Sequence, residues 1–330
     1  MPTTPLLSLC MIVKNEEQNL NRCLRSAAKI VDQIVIVDTG SIDRTVEIAQ
    51  SYQAEVYDYP WQDDFSAARN ESLKYATGEW ILVLDADDEL ESASAAQIRP
   101  LIATTEYDAI GIIIRNIAPP NDIIKYMDDT RYRLFRNRKG FRYEQKVHNQ
   151  IAPSIIRNGG KTWDSELLII HHGYKENFQR KANRSLPLIE AALNSNPSNT
   201  YLQFKKGETL KALGKLNEAR QALKQFFNMD YKFLPAQIIE TAFLRLSQIE
   251  LAQSDFEECL YYSHKCLLLN PRNALAMYLA GIARLYLGEL RTAYEIFHHI
   301  DENYSDDFFD KKDLSTLINI CTQVSAYQMA

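Results

Sequence analysis

Short apolar runs that stop at an acid recur through the first half of the chain. Residues 6–13 read as a first strand, residues 33–37 as a β-branched run stopping at Asp38, and residues 80–84 as a run stopping at Asp85, Asp87, Asp88 and Glu89. Runs of this length bounded by polar turns are the pattern of strands buried on both faces. Between them apolar positions recur at helical spacing. One helix opens at residues 14–17 and runs to about residue 30, with Asn15 and Gln18 spaced as a capping box. Others cover 44–52 and 66–76, the latter closed by Gly78, with a short strand at 55–57. Asp43 is placed to cap the second of these helices. The alternation predicts a doubly wound α/β fold, in which ligands bind beyond the carboxyl ends of the strands.

Past Tyr174 the strand pattern disappears and the chain repeats itself. Gly207, Gly214, Ala219 and Leu223 correspond to Gly281, Gly288, Ala293 and Phe297, and residues 251–256 with Cys259 and Pro271 supply a degenerate middle copy. The interval from Ser254 to Gly288 matches the roughly 34-residue period of tetratricopeptide hairpins. The first interval is longer, the excess falling at residues 228–235, and residues 303–330 read as a capping helix after an acidic turn.

Acids delivered to one sheet edge repel one another unless a hard cation, often carrying phosphate oxygens, neutralises them. Asp85-x-Asp87 therefore points to metal-assisted phosphate chemistry. The competing reading is a solvated acidic turn, with Asp88 or Ser92 capping the next helix.

The segments Met11 to Glu17, Val37 to Thr45, Asp64 to Asn70 and Leu84 to Asp88, in that order, resemble the family 2 glycosyltransferases of the GT-A fold. The resemblance covers residues 6–175. The subgroup it is most similar to has tetratricopeptide repeats after the catalytic domain and includes bacterial peptide S-glycosyltransferases. It implies an α/β GT-A nucleotide-diphospho-sugar transferase domain over residues 1–175 and an all-α TPR-like repeat domain over 176–330. It also implies an inverting enzyme that moves a sugar from a nucleotide-diphosphate donor, a UDP-sugar, with Mn²⁺ or Mg²⁺. The acceptor would be a peptide, protein or saccharide, and the repeats would engage it, a protein partner or a second copy.

Position by position, the resemblance implies that Asp38 and Arg69 hold the base, with Val13, Lys14 and Glu16 lining the same pocket. Asp85, beside Ala86, would meet the ribose or the metal, and Asp87 would bind the metal bridging the diphosphate. Arg133 and Arg136 would clamp the diphosphate or face water. His171, at the end of another apolar run, would complete the metal site in preference to His172, and His148 would orient phosphate or acceptor. Asn149 stands where the subgroup has an acid. Asn cannot remove the acceptor's proton, so Glu144 is the nearby candidate base.

Composition narrows the field. A chain of 330 residues with 46% hydrophobic content supports two cores. No run reaches the length of a membrane-spanning helix, and residues 1–9 lack the pattern of a secretory leader. A net charge of -6 gives no footing for nucleic acid. Five cysteines, odd in number and without metal-ligand spacing, fit reduced thiols and a cytoplasmic location. Two alternatives stand beside the transferase reading. A haloacid dehalogenase phosphatase also places Asp-x-Asp after a strand, but needs Thr or Val where Glu89 stands. A degenerate transferase serving as a scaffold is the non-enzymatic one, encouraged by Asn149.

Overall fold

The computed structural model describes residues 6–117, 125–137, 140–147, 149–173, 178–304, 309 and 311–328. They fall into two compact units, one drawn from Met1–Ala118 and Tyr126–Asn177, the other from Pro119–Lys125 and Phe178–Ala330.

The first unit runs β1 (Leu7–Val13), α1 (Leu20–Ala27), β2 (Gln33–Asp38), α2 (Thr45–Ser51), β3 (Glu55–Asp58), α3 (Phe65–Tyr75), β4 (Trp80–Val83), β5 (Asp88–Leu90), α4 (Ser92–Thr104), β6 (Ala109–Ile117), β7 (Tyr126–Arg136), α5 (Ala152–Arg157) and β8 (Thr162–His171). Its eight strands form one sheet in the order β3-β2-β1-β4-β7-β6-β8-β5. The pairs β1·β2, β1·β4 and β2·β3 are parallel. Beyond β4 the sheet is mixed, with β7 antiparallel to both β4 and β6, and β5 antiparallel to β8. Both faces are covered, which is why the strands read as continuous apolar runs. Leu9, Met11, Ile36, Trp80, Leu82 and Leu134 pack on one side. Cys10, Val35, Ile81, Val83 and Phe135 pack on the other.

One local expectation fails. Asn15 does not open a helix: its φ is +54°, and α1 begins only at Leu20. The Asn15 side-chain carbonyl accepts the Ile42 N–H at 2.8 Å, and the Asn15 N–H donates to Ser41 Oγ at 2.9 Å. Contacts with a loop far along the sequence have replaced the capping box. Asp43 behaves as expected, its Oδ1 accepting the Thr45 N–H at 3.0 Å at the start of α2.

The second unit is helical: α6 (Phe178–Ser195), α7 (Thr200–Ala212), α8 (Leu216–Phe227), α9 (Ala236–Ala252), α10 (Phe256–Leu269), α11 (Ala274–Tyr286), α12 (Leu290–Asn303) and α13 (Lys311–Gln328). The hairpins α7/α8, α9/α10 and α11/α12 turn at Gly214, Ser254 and Gly288, whose φ values are +73°, +61° and +81°. The residues separating α8 from α9 are those of the longer interval. The matched glycines have a packing reason. A Cβ on Gly207 would lie 2.5 Å from Leu223 Cγ, and one on Gly281 would lie 2.6 Å from a Phe297 ring carbon. Each glycine thus admits the large side chain that the repeat pairs with it.

Glu208 of α7 is held by Lys205 at 2.7 Å and by Arg245 of α9 at 3.1 Å, tying two hairpins together. Burial pushes its carboxyl up, but Lys205 and Arg245 outweigh burial and bring it down from 4.5 to about 2. A carboxylate depressed on folding stabilises above its unfolded value, and that contribution is lost as pH falls through the folded one. The shift corresponds to at most about 3 kcal/mol at neutral pH, less some solvent screening because part of the side chain is exposed. Glu208→Gln should therefore lower the urea midpoint of this unit at pH 7, and the gap to wild type should close as pH falls from 4.5 towards 2. A gap that stays constant with pH would show that the ion pairs contribute nothing.

Candidate functional site

The parallel half of the sheet delivers β1, β2 and β4 to one edge with their carboxyl ends side by side, Val13 opposite Asp38. The Val13 carbonyl accepts both the N–H and the hydroxyl of Thr39, each at 3.0 Å. Lys14 is exposed and Glu16 half-buried, and the Glu16 N–H donates to Thr45 Oγ1 at 2.7 Å. The loops after β1 and β2 are thus knitted into one wall. Asp38 is buried, and its Oδ2 accepts the N–H groups of Gly40 at 3.1 Å and Ser41 at 2.9 Å. Ser41 Oγ donates to the other oxygen. The turn fixes this carboxylate at the end of β2, and Gly40, at φ +100°, takes a backbone conformation that favours glycine.

Beyond β4 the chain turns through Asp85, Ala86 and Asp87 into β5. Ala86 and Asp87 are buried, and Asp88 is wholly so. Asp88 is opposite His171 in the β5·β8 pairing. Their side chains meet, Asp88 Oδ1 lying 2.8 Å from His171 Nδ1, with Asp87 Oδ1 3.6 Å from the same nitrogen. Asp88 Oδ2 accepts the Asp85 N–H at 2.8 Å, closing the turn. Ligand atoms of Asp87, Asp88 and His171 all lie within 4.8 Å of one another, the metal-competent cluster among the described residues. Two carboxylates and an imidazole fit a hard divalent cation. His172 points elsewhere, its Nε2 2.9 Å from Glu89.

Asp85, expected at the ribose or the metal, is not in this cluster. One of its oxygens is engaged by Arg69 of α3, and the other accepts from Arg133 of β7 at 2.6 Å. Burial would push the Asp85 carboxyl up, but the two guanidinium groups prevail and hold it well below the ordinary carboxylate range. Arg69, expected at the base, is buried against Asp85, with its guanidinium carbon 5.3 Å from the centre of the Tyr143 ring.

Arg136 is a correction. The register sets it opposite Trp80, at the amino end of β4 and so at the edge away from the acids. There it bonds Glu79 at 2.7 Å and the Thr105 carbonyl at 3.0 Å, and it lies over the Trp80 ring. Strand alternation and the antiparallel direction of β7 make Arg133 the residue that reaches the acidic edge. The candidate base Glu144 has its carboxylate engaged by Arg157 of α5 and 3.8 Å from Arg142 Nε. His148 and Tyr174 lie outside the described residues. The segment around Glu144 is pinned to α3: Asn70 exchanges bonds with the Tyr143 backbone at 2.9 and 2.7 Å, and Phe65 N–H donates to the Lys146 carbonyl at 2.9 Å.

Residues 8–159 match the family model described as Glycosyl transferase family 2. The first unit is a family 2 glycosyltransferase domain. The chain is 36% identical over 228 residues, 66% of its length, to a TPR repeat-containing protein of Synechococcus elongatus. It is 28% identical over 264 residues, 78% of its length, to the SPbeta prophage-derived glycosyltransferase SunS of Bacillus subtilis. It spans 56% of the first relative and 62% of the second. Among solved structures, S. aureus TarS matches 77% of the chain and 54% of its own, at 14% identity and a TM-score of 0.42. The second unit is TPR-like, as its three hairpins and the repeat-containing relative agree. No helix among the described residues is long and apolar enough to cross a membrane.

Proposed function

We propose that this protein is an inverting glycosyltransferase that takes a sugar from a nucleotide-diphosphate donor, a UDP-sugar, and passes it to a peptide, protein or saccharide. The observation that carries the reading is the gathering of Asp87, Asp88 and His171 within 4.8 Å at the sheet edge where Asp38 also ends. That edge would take a donor diphosphate and its cation. Asp87, Asp88 and His171 would hold Mn²⁺ or Mg²⁺, which when bound supplies charge stabilisation for a departing diphosphate.

The chain's own residues would do the rest. Asp38, fixed by its turn, would offer carboxylate oxygens to a base N–H, with Val13, Lys14 and Glu16 lining the pocket beside it. Arg69 and Asp85 form a unit behind the turn and would shift together when a donor is bound. Asn149 has no carboxylate to take the acceptor's proton, and Glu144 is engaged with Arg157. A thiol acceptor, partly ionised at neutral pH, would need a base least. The helical unit would present the acceptor or a partner, since a helical stack offers one extended concave surface. A catalytically silent scaffold is the second reading, favoured by Asn149.

The test is a panel of nucleotide sugars, assayed for release of free nucleoside diphosphate with Mn²⁺ and with chelator. A transferase releases it selectively from one sugar and only with metal. Binding without release at any metal concentration would leave the scaffold. Asp38→Ala should weaken UDP binding by on the order of 1 to 3 kcal/mol with kcat less affected. Equal affinity by calorimetry would remove Asp38 from the base pocket.

A further inference from the structure

Arg133 sits where a cation matters most. It is buried on β7, its guanidinium 2.6 Å from Asp85 Oδ2 and 3.9 Å from Asp88 Oδ2. With Arg69 on the remaining Asp85 oxygen, both oxygens of that carboxylate are committed to guanidinium groups, while Asp87, Asp88 and His171 cluster without it. A carboxylate held by two guanidiniums is a poor ligand for a metal, because each cation competes for the same lone pairs. Released, Asp85 would add its charge to two neighbouring acids within the same turn.

We propose that Arg133 is a positioning residue that keeps Asp85 out of the metal shell and caps the negative charge of this edge. The metal alone is then bound weakly, and the donor's diphosphate finds an edge that does not repel it. The inference rests on the reading that the site takes a divalent cation and a nucleoside diphosphate. Charge sets the signs. Removing Arg133 makes the edge more negative, which strengthens its attraction for Mn²⁺ and weakens it for UDP. General loosening of the fold would weaken both.

The experiment titrates Mn²⁺ into nucleotide-free protein, and UDP into Mn²⁺-loaded protein, by calorimetry. Arg133→Met should bind Mn²⁺ at least about threefold more tightly and UDP at least about tenfold more weakly, with Arg133→Lys between it and wild type. The double variant Arg133→Met with Asp85→Asn, which removes both charges, should return Mn²⁺ affinity to the wild-type value. Mn²⁺ affinity unchanged or reduced in Arg133→Met, with wild type binding both ligands, would overturn this inference alone. If wild type binds neither Mn²⁺ nor UDP, the proposed function falls and this inference with it. Should Arg133→Met fail to fold, Asp85→Asn decides. The lost charge alone weakens Mn²⁺ a few-fold, so a loss within about tenfold supports Asp85 lying outside the shell, and a larger loss makes it a ligand and overturns the proposal.

Discussion

Asp87→Asn is expected to lower metal-dependent turnover of the donor by about 10³-fold, on the order of 4 kcal/mol of transition-state stabilisation, while the protein stays folded. The substitution keeps the side chain's volume and removes its formal charge. Asp87 is buried at the carboxyl edge of the sheet, beside His171, and lies in the cluster suited to a cation. It carries no part of the strand core, so thermal unfolding should change little. Turnover and Mn²⁺ dependence equal to wild type in a folded variant would remove Asp87 from the site.

Asp88→Asn should have the second largest effect, a loss of about 10 to 100-fold in Mn²⁺ affinity, together with lower stability. The Asp88 carboxylate has no exposed surface, and its two oxygens serve different partners, the Asp85 N–H and His171 Nδ1, each at 2.8 Å. An amide replaces one acceptor with a donor. Either the turn loses its closing bond or the imidazole loses the carboxylate that orients it, and leaving one buried polar group unpaired costs about 1 to 3 kcal/mol. Metal titration and denaturant unfolding measured on the same preparation separate the two losses. Mn²⁺ affinity within twofold of wild type would contradict a role at the metal.

What could be read from the chain divides along a physical line. Strands β1, β2 and β4 are legible because burial on both faces leaves an uninterrupted apolar run, and the acids after β2 and β4 are legible because those two runs stop abruptly. The helical hairpins were legible because the repeat is local and recurs, so Gly207 with Leu223 and Gly281 with Phe297 announce one another. The capping box at Asn15 fails for the converse reason. Its spacing is a local signal, and the hydrogen bonds that override it come from Ser41 and Ile42. Arg133 and Arg136 read alike in the sequence because no pattern there states that β7 runs antiparallel to β4, and that direction, with strand alternation, decides the arginine that reaches the acids. Asp88 read as a possible helix cap for the same reason, since its partner His171 is set by the long-range pairing of β5 with β8. Glu144 stands out by proximity in sequence, and Arg157, which engages it, comes from α5.

The central claim is that a cation at Asp87, Asp88 and His171 couples the protein to a nucleoside diphosphate. Its most direct test is calorimetric titration of UDP into the full chain with Mn²⁺ and with chelator, in wild type and in Asp87→Asn. The account predicts saturable binding in wild type with Mn²⁺, and no measurable binding with chelator or in Asp87→Asn. UDP binding of equal strength with and without metal, or unchanged in Asp87→Asn, would contradict it.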